Sequence, residues 1–232
     1  MNVKKLSIII PCYNEIETIA DSVKRVREAD LGDIIREIVV VDDGSTDGTA
    51  RFLENLNSSS TKVIFHQSNL GKGSAIKTAL RHISGDLVVI HDADLEYDPQ
   101  DFDKMIHLFT DESVQVVYGS RNLNKENERS SRVFALGGMF LSQLTNILYG
   151  SKITDEATCY KMFRSDILKN MLLECQGFEF CPEVTAKVLK RGMTIHEIPI
   201  KYTPRHIFSG KKIRYKDGIV ATWTLLKYRF FD

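Results

Sequence analysis

The chain has 232 residues, 43% of them hydrophobic and 27% charged, which is the balance of a globular protein with a sizeable core. Lysine plus arginine and aspartate plus glutamate both number 31, so no chain-wide basic field exists to hold nucleic acid. The four cysteines (Cys12, Cys159, Cys175, Cys181) form no CxxC pair and no cysteine–histidine metal spacing, which argues against a zinc site and suits a reducing, cytoplasmic setting.

The N-terminus "MNVKKLSIII" starts charged, but its apolar run is short and breaks at "PCYNE". It reads as a first core strand and not as a secretion signal. Four further apolar, β-branched runs follow: "EIVVVDD" (37–43), "KVIFH" (62–66), "DLVVIHD" (86–92) and "VQVVYGS" (114–120). With "LSIIIP" (6–11) they suit strands buried on both faces of a mostly parallel sheet. Helical patterns lie between them at 15–30, 47–57, 71–83 and 99–110. Two have recognisable starts, "DGSTDGT" with its Ser/Thr/Asp caps and "DPQDFD" with an early proline and acids in the first turn. Such alternation predicts an α/β protein.

The second half changes character. A long helical pattern over 131–150 carries a Gly-Gly pair; a helix follows at 181–191 and a strand at 194–202. Residues 203–218, "TPRHIFSGKKIRYKDG", read as a basic irregular loop, and 219–232 as a terminal helix. No linker or repeat interrupts the chain, so a single domain is expected, with residues 1–120 as one half and 121–218 as the other. No apolar segment approaches the roughly 18 residues a membrane span needs.

In open α/β sheets, ligands bind where strands end and helices begin. "PCYNE", "DDGSTD" and "HDADLE" all fall at such ends and all carry carboxylates, which points to one shared site. Asp92 and Asp94 flank one small residue; in extended chain their side chains share a face and can approach one hard cation, with Glu96 a third candidate ligand. The alternative is a solvated turn, and Asp98 is assigned to capping the next helix. Asp42 or Asp43 can accept from a ribose hydroxyl or a base N–H. "NLGKGSAIKTAL" (69–80) fails both the Walker pattern and the dinucleotide fingerprint, yet leaves Lys72 near a nucleotide. Arg121, Arg129 and Arg132 form one candidate anion patch, and Arg205, Lys211, Lys212 and Arg214 a second. No GxSxG elbow or triad context is present, and His66 and His91 are read as packed residues.

Taken in order, "IIIPCYNEIETI", "VVDDGSTDGT", "NLGKGSAIKTAL", "DLVVIHDADLEYDP", "YGSR", "TDEATCYKMFR", "FEFCPEV" and "EIPIKYTPR…SGKKIRYKDG" resemble family 2 glycosyltransferases of the GT-A fold. The nearest branch is the polyprenyl-phosphate sugar synthases, of the dolichyl-phosphate mannose or glucose synthase type. The resemblance implies a Rossmann-like, mostly parallel mixed sheet flanked by helices, a nucleotide-diphosphate sugar donor, a polyprenyl-phosphate acceptor and inversion at the anomeric carbon. It implies Mg²⁺ or Mn²⁺ at Asp92 and Asp94, with Glu96 standing where this branch often has glutamine. Pro11, Tyr13, Glu15, Asp42, Asp43, Lys72, Asp92 and Ala93 match donor-binding positions, and Arg121 and Arg132 match phosphate-facing arginines. Asp94, Arg121 and Asp155 are the implied catalytic residues, Asp155 matching a position that is a general base in relatives with hydroxyl acceptors.

Acceptor chemistry leaves two readings. A sugar hydroxyl needs a base during attack, whereas a lipid monophosphate is already anionic and needs cationic positioning. The arginines and "SGKKIR" favour the lipid phosphate; Asp155 keeps the hydroxyl open, and nucleotide binding without catalysis is the reading from another class. The terminal "ATWTLLKYRFF" sets aromatic residues beside Lys227 and Arg229, which suits either a membrane interface, with a peripheral site on the inner face, or docking on the core.

Overall fold

The computed structural model describes residues 3–128, 132–205 and 215–231, with Arg132 described by its backbone alone. Seven strands form one sheet in the order β3-β2-β1-β4-β6-β5-β7. β1 (Lys5–Cys12) pairs in parallel with β2 (Ile35–Asp42) on one side and β4 (Leu87–Ile90) on the other, and β2 pairs in parallel with β3 (Thr61–Phe65). Ile8, Ile9, Val39, Val40, Val88 and Val89 are all fully buried, as expected of strands covered on both faces. The covering layers include α1 (Ile19–Glu28), α2 (Thr49–Leu53), α3 (Lys72–Leu80) and α4 (Asp101–Leu108). This is the α/β, single-domain, mostly parallel mixed-sheet arrangement that the sequence led us to expect.

The far half contains the element that periodicity missed. β6 (Lys161–Arg164) runs antiparallel between β4 and β5 (Val116–Ser120), while β5 pairs in parallel with β7 (Ile195–Pro199). β6 reverses the chain so that residues 153–160 arrive at the carboxyl edge of the parallel strands, beside the ends of β4 and β5. A short helix, α6 (Ser165–Lys169), follows β6 and was likewise not foreseen.

α5 (Arg132–Tyr149), α7 (Phe180–Lys190) and α8 (Tyr215–Phe230) form a second packed group. Leu225 and Tyr228 of α8 meet Ala186 of α7 and Leu141, Leu144 and Leu148 of α5, and the Tyr149 hydroxyl donates to the Leu225 carbonyl at 2.7 Å. α8 starts at Tyr215, four residues before the expected 219, so "YKDG" is helix and not loop. The Tyr215 ring lies parallel to Phe134 of α5 with centroids 6.0 Å apart, which gives that first turn a partner. No helix among the described residues is long and apolar enough to cross a membrane.

Candidate active site

Six strands end at one edge of the sheet, and their loops are stitched together there. Asn14 adopts a positive φ of 49°; its amide donates to Ser45 Oγ at 2.8 Å and its side-chain oxygen accepts from Thr46 N at 2.7 Å. Glu15 N donates to Thr49 Oγ1 at 2.9 Å, which ties the loop after β1 to the start of α2. Asp47 caps the start of α2 by accepting from Thr49 N at 3.0 Å. Gly44 is required in the same corner: its φ is +74°, and a Cβ there would lie 2.5 Å from the carbonyl carbon of Ser68.

Asp42 and Asp43 do different jobs. Asp43 accepts from Leu70 N at 3.0 Å, Gly71 N at 2.7 Å and His66 Nδ1 at 2.7 Å, so its carboxylate shapes the glycine-rich turn. Asp42 Oδ2 accepts from Ser45 N at 3.1 Å, while its Oδ1 is buried and has no hydrogen-bond partner among the described residues. A buried orphan acceptor at a strand end fits a donor supplied by a ligand. Pro11 is buried within β1, opposite Val41, and Tyr13 is half-buried in the loop beyond.

After β4 the chain turns sharply through Asp92, Ala93, Asp94, Leu95 and Glu96. Leu95 has a φ of 63°, a costly value for a branched side chain, and Asp94 Oδ1 accepts from Glu96 N at 3.2 Å across it. Ala93 is buried beneath the turn. Lys72 reaches in from α3, its Nζ 2.5 Å from Asp92 Oδ1. Burial opposes the charge on Asp92, but the Lys72 ammonium outweighs it and holds the carboxyl below the usual range. Asp94 is shifted the other way: burial and the negative charges of Asp92 and Glu96 push it up to about 7, against the pull of Arg205. The turn thus holds more negative charge than its two cations balance.

The segment after β7 straps this turn in place. Arg205 Nε donates to the Asp94 carbonyl at 2.7 Å and Nη2 to Glu15 Oε2 at 2.8 Å, while Arg205 N donates to Glu96 Oε1 at 2.9 Å. Tyr202 Oη donates to Glu96 Oε2 at 2.8 Å. Both Glu96 oxygens therefore accept from the strap, and Arg205, read from sequence as an anion contact, joins Glu15 to the aspartate turn. Arg121 lies over the Tyr202 ring, its guanidinium 5.1 Å from the centroid. The aspartate turn and the Arg121 cluster are thereby joined through Tyr202.

Arg121 and Asp155 form a fork. Nε donates to Oδ2 at 2.7 Å, Nη2 to Oδ1 at 2.7 Å, and Arg121 N also donates to Oδ2 at 2.9 Å. Glu197 of β7 fixes the turn below, accepting from Thr154 N at 2.7 Å and Asp155 N at 3.1 Å. Sequence reasoning passed over Glu197 and Tyr202; a lone carboxylate amid the apolar run "IHEIPI" was the available signal for the first. Lys211, Lys212, Arg129 and Arg214 lie outside the described residues, and Arg132 opens α5 without a described side chain.

Comparisons with known proteins give the family and the fold. Residues 7–172 match the family described as glycosyl transferase family 2. The chain is 31% identical over 246 residues to the UDP-N-acetylglucosamine–dolichyl-phosphate N-acetylglucosaminyltransferase of Methanococcus voltae, covering 97% of this chain and 96% of that one. It is 30% identical over 199 residues to glycosyltransferase AglJ of Haloferax volcanii, where it spans 85% of this chain but only 63% of its relative's length. The chain belongs to glycosyl transferase family 2. Its fold also matches the Mycobacterium tuberculosis glucosyl-3-phosphoglycerate synthase crystallised with Mn²⁺, UDP and glucosyl-3-phosphoglycerate, with a TM-score of 0.74 and 20% identity over 97% of this chain and 78% of that one.

Proposed function

We propose that the protein is an inverting glycosyltransferase that moves a hexose from a nucleotide-diphosphate sugar to a polyprenyl phosphate. The observation that carries the acceptor is the saturation of Asp155: three donors from Arg121 occupy its carboxylate, leaving a poor general base. A phosphate monoester needs none. One of its oxygens forms the new bond to the anomeric carbon while the bond from that carbon to the diphosphate breaks on the opposite face, and the diphosphate departs. Arg121 presents a guanidinium to the incoming phosphate, held rigid by Asp155 and Tyr202. The Methanococcus relative, whose name specifies a dolichyl-phosphate acceptor, supports the same class.

On the donor side, the orphan oxygen of Asp42 suits a base or ribose donor, and Lys72 suits the diphosphate. Asp92 and Asp94 would hold Mg²⁺ or Mn²⁺. The fit rests on the donor set: hard carboxylate oxygens with surplus negative charge, two of which suffice when phosphate oxygens complete the shell. No group of three or more histidine, cysteine or acidic side chains converges among the described residues. Such an ion would neutralise charge on the departing diphosphate.

α5 and α8 support a peripheral position on a membrane surface. From Val133 to Tyr149 α5 carries no charged side chain, and Val133, Leu136, Phe140 and Ile147 are exposed along one stripe, Ile147 by 81%. α8 adds exposed Ile219, Trp223 and Phe230, with Lys216, Lys227 and Arg229 on the same helix. An apolar, aromatic face with basic neighbours suits a lipid interface where the acceptor resides.

The deciding experiment is a donor screen with UDP- and GDP-hexoses, following nucleotide release with short-chain polyprenyl phosphate, with a saccharide, or with neither. Stimulation by the lipid phosphate is expected; stimulation by the saccharide alone would overturn the assignment.

A further inference from the structure

Lys72 begins α3, and the turn that carries it is clamped. Gly71 has a φ of +94°, and a Cβ at that position would lie 2.4 Å from the Gln176 carbonyl oxygen. The amides of Leu70 and Gly71 are spent on Asp43. Two in the first turn of the helix are also taken: Gly73 N donates to the Gly177 carbonyl at 3.1 Å and Ser74 N to the Gln176 carbonyl at 3.0 Å. A helix start usually offers anions its unpaired N–H groups. Here the amides of Leu70, Gly71, Gly73 and Ser74 are already paired, which leaves the Lys72 side chain as the cation of this turn for an incoming diphosphate.

That side chain already has a partner. Its Nζ lies 2.5 Å from Asp92 Oδ1, and their side chains are only 14% and 24% exposed. The Phe178 ring centroid is 5.9 Å from the ammonium, so the charge has little water to fall back on. Asp92 is also one of the two carboxylates suited to a divalent ion. Lysine and the ion are both cations, and both claim the same oxygen atoms; together on Asp92 they would repel at a separation of a few ångströms.

We propose that Lys72 is the resident counterion of Asp92 and that a nucleotide diphosphate draws it away, so that divalent cation and diphosphate bind as a coupled pair. The inference rests on the donor and metal reading above. Without donor, the ammonium neutralises Asp92 and disfavours an ion there. A diphosphate accepts the ammonium onto its own oxygens, and Asp92 turns to the cation. After transfer, loss of the diphosphate returns Lys72 to Asp92 and favours release of the ion. Reciprocity requires the cation to raise diphosphate affinity by the same factor.

The test measures Mn²⁺ binding by electron paramagnetic resonance of the free ion, and UDP and GDP binding by calorimetry with and without Mn²⁺, corrected for the Mn²⁺–nucleotide complex in solution. Wild type should bind Mn²⁺ weakly alone, and at least one nucleotide should strengthen it about tenfold or more. Lys72→Met should bind Mn²⁺ alone about tenfold more tightly and lose a similar factor of the coupling, whereas Lys72→Arg should behave as wild type. Independent binding in wild type overturns the proposal without any variant, as does a Lys72→Met protein that binds Mn²⁺ no more tightly or keeps the full coupling. If nucleotide binds but Mn²⁺ never does, the metal reading falls and takes the proposal with it; if Mn²⁺ binds but neither nucleotide does, the donor reading falls.

Discussion

Arg121 grips Asp155 through two side-chain hydrogen bonds of 2.7 Å each, one from Nε and one from Nη2, with a third from its own backbone amide at 2.9 Å. The carboxylate is almost entirely buried and the guanidinium about one quarter exposed, at 2% and 24%. Asp155 thus orients a cation, and the cation faces the site. Asp155→Asn is therefore expected to lower kcat/KM about 100-fold by loosening Arg121 while the acidic limb of the pH–rate profile stays where it is. A general base would behave differently, and its loss would remove that limb. Arg121→Met, which strands a buried carboxylate, should cost about 3 kcal/mol of stability, read from denaturant unfolding.

Asp92 and Asp94 project from one strained turn, with Leu95 at a φ of 63° beside them. Asp92→Asn and Asp94→Asn should each raise the Mn²⁺ dissociation constant, measured in the presence of nucleotide, at least about tenfold. Transfer should fall with it, and excess Mn²⁺ should restore part of the loss. Full activity in both variants with a nucleotide sugar and Mn²⁺ would remove the metal from these residues.

At the opposite edge of the sheet Glu37 gathers Lys5 Nζ at 2.8 Å, Ser7 Oγ at 2.5 Å, and Ser84 N and Oγ at 2.6 Å each. Burial raises its pKa, but these donors outweigh burial and bring it from 4.5 to about 2. A carboxylate depressed on folding stabilises the protein above its unfolded pKa, and that stability is lost as pH falls through the folded value. Glu37→Gln should therefore be less stable than wild type by about 1–2 kcal/mol at pH 7, after allowance for solvent screening. The gap should close between about pH 4.5 and 2. A gap that persists unchanged at pH 2 would mean lost packing and not lost charge.

How far the sequence reached follows from the range of the interactions concerned. β1, β2 and β4 were legible because strands buried on both faces read as continuous β-branched runs, and their ends located the aspartates. β6 was not, because four residues, "KMFR", bracketed by a buried lysine and an arginine, carry no period to detect. Lys161 is tolerated there because its Nζ donates to the Glu156 carbonyl at 2.6 Å and lies 3.7 Å from the centroid of the Tyr118 ring. Partners of the site carboxylates were equally hidden. The Arg205–Glu15 bond spans 190 positions and the Tyr202–Glu96 bond 106, and no local pattern encodes either. Residue types announced the site; only the fold assigns Asp43 to the glycine turn and Glu96 to the strap.

The apolar face of α5 and α8 yields the last prediction. Leu136 and Phe140 lie one turn apart and are 65% and 53% exposed, and Trp223 of α8 is 57% exposed. Exposed side chains contribute little to the core, so replacing these three with glutamate should change stability by about 0.5 kcal/mol or less per site. Each substitution should nevertheless weaken flotation with anionic liposomes, because it places a carboxylate where apolar surface would meet acyl chains and anionic headgroups. Activity should separate in the same way. Transfer to a long-chain polyprenyl phosphate embedded in vesicles should fall at least about tenfold in the triple variant, whereas transfer to a short-chain acceptor in solution should be retained, since none of the three residues belongs to the aspartate turn or the Arg121 fork. Equal loss with both acceptors would point to a damaged site, and no loss with either would show that this face does not meet the membrane.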